Sequence, residues 1–171
     1  MLRMLIAFCS VLVAFAPCTA SAQGTVWMMP DTMYSQRDTF FVLVVHADAN
    51  LVGVKGLELD IDFNGSFLQP DTANLVPGSI WTSSRPFFDY TYLINGNGRL
   101  TLDFAVLGDT GTINGPGTVV VIPMNTIGFG ETDITISAYK LRDNLNQPMN
   151  MKKENAWAKF ERAEVDIHAF D

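Results

Sequence analysis

Three carboxylates stand at two-residue spacing in VKGLELDIDF, Val54 to Phe63: Glu58, Asp60 and Asp62. Leu57, Leu59, Ile61 and Phe63 alternate with them, so an extended chain places the acids on one face and the apolar side chains on the other. Successive acids on such a face lie roughly 6.5–7 Å apart. Glycosidic-bond hydrolysis needs two carboxyls flanking a substrate, and neighbours on one strand face point the same way, which is the wrong arrangement. Two readings remain: a solvated sheet face, or the surface that the fold exists to present.

Other chemistry-bearing residues are fewer. Aromatic rings gather at Trp81, Phe87, Phe88, Tyr90 and Tyr92, with Trp157 further on. Exposed rings along a flat sheet stack on pyranose faces, whereas alternation in Phe88, Tyr90 and Tyr92 fits a sandwich core equally well. Asp48, Asn50, Asp143 and Asn144 are loop acids and amides that suit calcium, but no spacing matches an EF-hand loop. His46 and His168 are the two histidines, and neither stands in a ligand motif. There is no G-x-S-x-G and no paired His and carboxylate motif, so the expectation is a protein that is not an enzyme. No cofactor is expected, and any calcium would come through a partner.

The elements that position these residues begin after a targeting segment. Arg3, the apolar run Met4 to Ala16 and the small residues Ala20-Ser21-Ala22 read as a signal peptide over 1–22, leaving one domain over 23–171. The apolar run is shorter than a spanning helix requires. Cys18 follows Pro17, where a lipid-attachment site takes a small residue, so cleavage near Ala22 is preferred over a lipid anchor. Both cysteines, Cys9 and Cys18, leave with the segment, and stability then rests on the core. Losing Arg3 takes 11 basic residues to 10 against 18 acidic, a net charge of −8. That balance excludes nucleic acid and anionic membrane as natural partners. The expected location is secreted, extracellular or periplasmic.

Along the remainder, Thr25 to Met29 is a short strand candidate and Pro30 to Asp38 is polar and turn-rich. Thr39 to Val45, TFFVLVV, reads as a strand buried on both sides. Phe67 to Ser79, interrupted by Pro70 and Pro77, offers only short pairings. Phe88 to Ile94 and Arg99 to Val106 flank Asn95-Gly96-Asn97-Gly98, a strong hairpin signal. Thr118 to Met124 is β-branched, with Pro123 suggesting an edge or a bulge, and Thr132 to Ala138 alternates. Pro148 to Arg162 has helix-forming composition, and Glu164 to Phe170 reads as a final strand. Many short strands without alternating helices mean an all-β, antiparallel sandwich.

The order of these features resembles the cohesin domains of cellulosomal scaffolding proteins. The resemblance rests on GLELDIDFNGSFLQP, VPGSIW, NGNGRLTLDFAVLG, TINGPGTVVVIP and GETDITISAYKLRDNLNQPM, together spanning most of the chain. It implies a jelly-roll sandwich of about nine strands, an architecture shared with cellulose-binding modules. It also implies that the chain is a non-catalytic binding module whose partners are dockerin modules, small calcium-loaded helical domains on secreted enzymes. Position by position it picks out Glu58, Asp60, Asp62, Thr101 and Asp103, with Leu107 and Gly108 in the adjoining loop. Two alternatives stand beside it. One is a carbohydrate-binding module that binds polysaccharide by stacking sugars on Trp81, Tyr90, Tyr92 or Trp157, and the other is a structural subunit of a surface assembly.

Overall fold

Alternation of apolar and polar residues governs most of this chain, and the computed structural model turns it into two stacked sheets. It describes residues 24–36, 38–82, 88–95, 98–109 and 111–162, without the side chains of residues 88 and 95. The targeting segment, the hairpin tip at Gly96 and Asn97, and the expected final strand at 164–170 lie outside the described residues.

In chain order the strands are β1 (Gly24–Met29), β2 (Thr32–Gln36), β3 (Phe40–Ala47), β4 (Val54–Asp62), β5 (Leu68–Pro70), β6 (Val76–Pro77) and β7 (Phe88–Asn95). There follow β8 (Arg99–Val106), β9 (Gly117–Thr126), β10 (Gly130–Asp143), β11 (Pro148–Met149), β12 (Met151–Glu154) and β13 (Ala156–Glu161). The first sheet runs β12-β1-β3-β9-β5, with β6 also on β9. The second runs β2-β13-β10-β4-β8-β7, with β11 on β10. Neighbours are antiparallel except β1 with β12 and β13 with β2. The architecture is the β-sandwich expected, and short segments such as β5, β6 and β11 carry the strand number above nine.

The inward faces make one core. Leu57, Leu59 and Ile61 of β4 and Leu100, Leu102 and Phe104 of β8 are buried to within 1% of full exclusion. Each such side chain stabilises the fold by about 1.5–3 kcal/mol relative to exposure. Trp81, on the helical turn α1 (Ser79–Thr82), fills one end of the sandwich. Its ring stacks on Phe104 at 4.8 Å and 10°, and its Nε1 donates to the Val119 carbonyl at 2.9 Å. The polar handle of a buried indole is thereby satisfied.

Four expectations need correction. β3 is not buried on both sides: Leu43, Val45 and Ala47 enter the core, while Phe40 and Val42 are exposed. The stretch Pro30 to Asp38 contains β2, a strand held by β13 in parallel register. The segment Pro148 to Arg162 forms β11, β12 and β13 instead of a helix. In β13 the buried positions are Ala156, Ala158 and Phe160. Two of the three are alanines, good helix formers whose small side chains hide a period of two. Finally, Pro123 lies inside the first sheet, between β3 and the outer segments, and no bulge occurs at it. Its carbonyl accepts from the Asp71 amide at 2.8 Å in the gap between β5 and β6. The missing N–H faces the same gap, so no ladder bond is lost.

Candidate functional site

The outward face of the second sheet collects most of the acids singled out in the sequence. Antiparallel register sets Asp62 opposite Arg99, Asp60 opposite Thr101 and Glu58 opposite Asp103 across β4 and β8. On the other side of β4, Lys140 of β10 stands opposite Glu58 and Ala138 opposite Asp60. Beyond β8, the edge strand β7 brings Leu93 beside Thr101 and Thr91 beside Asp103. Three ladders thus cross the sheet, each set by backbone pairing and not by sequence proximity.

The acidic row is largely neutralised within the face. Arg99 donates through Nε and Nη2 to both Asp62 oxygens, at 2.6 and 2.7 Å. This bidentate hydrogen bond holds the Asp62 carboxyl below its ordinary value, outweighing the opposing effect of burial. Asp60 accepts from the Thr101 hydroxyl at 2.7 Å and lies 3.8 Å from Arg99. Glu58 pairs with Lys140 at 2.8 Å. Asp103 differs: among the described residues its carboxylate has neither a hydrogen-bond nor an ion-pair partner. Although it is exposed, crowding by the sheet raises its carboxyl above the ordinary value, and the Glu58 charge opposite adds to this.

The face is flat. A shallow depression of about 80 Å³ lies between β7 and β8, lined by Asp89, Tyr90, Thr91, Asp103 and Ala105. On the edge strand β7, beside Thr101 of β8, Leu93 is 57% exposed, an apolar side chain at the margin of this polar face. Leu107 is exposed just past β8. The Gly108 carbonyl accepts a hydrogen bond from Lys55, as does the Gly111 carbonyl at 3.1 Å, so the loop is fastened to β4. Glu58, Asp60, Asp62, Thr101 and Asp103 therefore share one surface, with Leu107 and Gly108 at its border. Leu93 was missed in the sequence because Tyr92, Leu93 and Ile94 form an unbroken apolar run in which alternation disappears.

The aromatic candidates do not form one platform. Trp81 is fully buried and cannot meet a sugar. Tyr90 is half-buried on the inner side of β7, stacked on Phe104 at 6.0 Å. Tyr92 is on the same inner side and 44% exposed, at the sheet edge. Trp157 is half-buried on the outward face at the opposite edge, with Tyr34 edge-on to it at 5.6 Å. Among the calcium candidates, Asp48 accepts from the Asn50 amide and side chain, and Asp143 accepts from the Leu145 and Gln147 amides. These carboxylates are used in turns. Among the described residues no group of three metal-binding side chains gathers.

This sandwich, with an ion-paired polar face on its second sheet, has the architecture of cohesin domains. No family model and no curated protein matches the sequence. Solved structures do match. A type I cohesin–dockerin complex from Clostridium thermocellum aligns at TM-score 0.69 and 15% identity, covering 84% of this chain and 97% of that one. A type II cohesin domain from the cellulosome of Acetivibrio cellulolyticus aligns at 0.67 and 13%, covering 80% and 95%. A non-cellulosomal cohesin from the archaeon Archaeoglobus fulgidus aligns at 0.65 and 15%, covering 84% and 94%. At such identity the likeness shows the fold. Among the described residues no helix is long and apolar enough to cross a membrane.

Proposed function

We propose that this chain is a secreted, non-catalytic binding module that recognises a dockerin-type helical protein through the outward face of β7, β8, β4 and β10. The observation that carries the reading is the combination of cohesin fold and a sheet face of ion-paired and hydrogen-bonded ladders, bordered on its edge strand by the exposed Leu93. Such a face suits a protein partner better than a small molecule, since it offers area and ordered polar groups but no enclosing cavity. Asp103, already raised by its surroundings, gains a counter-charge when a basic side chain docks beside it. The carboxylates of Asp60 and Asp62 accept from hydroxyl and basic groups at the periphery. Solved relatives include cohesin–dockerin complexes, which supports a partner of this class. The signal peptide over 1–22 delivers the module outside the cell, to polysaccharide breakdown or surface assembly, and calcium belongs to the partner.

The test is retention of the organism's own secreted proteins on the immobilised chain, with calcium and again with a chelator. Proteins held in calcium and released by chelation support the reading, and none held in either condition removes it. A second reading, sugar binding, is favoured by the Tyr34–Trp157 pair, where Tyr34 is 72% exposed. Co-sedimentation with insoluble polysaccharide that is lost in Trp157→Ala would select it.

A further inference from the structure

The opposite surface, the outward face of the first sheet, is apolar across four strands. Met29 of β1, Val44 of β3, Val121 of β9 and Val76 of β6 stand in one cross-strand row, and Phe40 and Val42 continue it along β3. Phe40 is 72% exposed, Val76 54%, Met29 50% and Val42 39%. A strand that carries apolar side chains on both faces normally belongs to a sheet covered on both sides, and here no element among the described residues covers the outer side. These four residues expose roughly 400–450 Å² of mostly apolar surface, within the range of the largest patch on a monomer, which often serves as a contact site. Half-buried neighbours extend the patch toward the roughly 800 Å² that each partner contributes to a stable interface.

Charge identifies the occupant. Of the outward residues on this sheet, the charged ones are Lys152 and Glu154, of opposite sign and both on the edge strand β12. The whole chain carries a net charge of −7, and its acids crowd the other sheet. We propose that the face is a homodimer interface: two copies bring their uncharged β1-β3-β9 surfaces together about a two-fold axis, sheet on sheet. Two such faces interdigitate at a spacing of about 10 Å, as the sheets of a sandwich do. This arrangement keeps the acidic faces apart and turns both recognition faces outward. It does not depend on what those faces bind.

Sedimentation equilibrium of the purified chain tests the proposal, together with Phe40→Glu/Val42→Glu, which sets like charges against each other across the axis. The expected result is a concentration-dependent dimer whose dissociation constant rises at least about 100-fold in the double variant. Trp27 lies on the same face, stacked on His46 at 5.6 Å, and reports independently of any variant that fails to fold. Its emission shifts to longer wavelength on dilution of the wild-type chain, and Trp27→Phe abolishes that shift. A wild-type chain that remains monomeric to about 200 µM overturns the proposal. So does a double variant that dimerises like wild type. A monomer that sediments with insoluble polysaccharide, and ceases to in Trp27→Ala, assigns the face to sugar and equally overturns it.

Discussion

Asp62 and Asp103 are two acids on neighbouring strands of one face, and their surroundings push them in opposite directions. The Arg99 hydrogen bonds depress Asp62. Its contribution to stability is therefore present above the ordinary value of 3.8 and is lost as pH falls through the lower folded value. Asp62→Asn is expected to lower the Tm at pH 7 by roughly 2–4 °C, a gap that closes in acid. Asp103, raised by crowding and by Glu58, costs stability once it ionises, as pH rises from 3.8 through its higher folded value. Asp103→Asn is expected to raise the Tm at pH 7 by about 1–2 °C and to change nothing well below pH 3.8. Thermal unfolding from pH 3 to 7 checks both signs. The acids themselves were legible, because Glu58, Asp60 and Asp62 alternate with a core face. Their counter-ions were not: Arg99 lies 37 residues from Asp62 and Lys140 lies 82 from Glu58, and only strand register joins them.

Elements were legible where period two is written in large side chains. β4 and β8 alternate Leu, Ile and Phe with polar residues, and both formed within a residue of the expected bounds. β13 was hidden because alanine fills two of its inward positions, and β2 because its polar sequence depends on β13 for pairing. The hairpin joining β7 to β8 was read from its turn residues, and Gly98 shows why they matter. Its φ is +136°, and a Cβ there would collide with the Phe63 carbonyl. The Gly98 carbonyl in turn accepts from the Phe63 amide at 2.8 Å, fastening the hairpin to the end of β4. Gly98→Ala is expected to cost about 1–3 kcal/mol in urea unfolding, with an unchanged m-value. A loss below about 0.5 kcal/mol would show that the contact yields freely.

At the scale of the molecule, the sandwich has two unlike faces. One is charged and internally paired, with Leu93 on its edge strand. The other is apolar and nearly uncharged. The first was foreseen in outline from the acidic row, and the second was read as interior, since TFFVLVV carries no sign of which side lacks a cover. Sequence pattern reports how much a strand buries, not whether its own chain or another molecule does the burying. The central claim is that recognition belongs to the β7-β8-β4-β10 face, and calorimetric titration of a calcium-loaded partner captured on the chain tests it most directly. Leu93→Arg is expected to weaken binding by about 100-fold or more, while Phe40→Glu, on the opposite face, leaves the Kd within about twofold. Wild-type affinity in Leu93→Arg, with binding lost in Phe40→Glu, would contradict the account and move the recognition site to the other sheet.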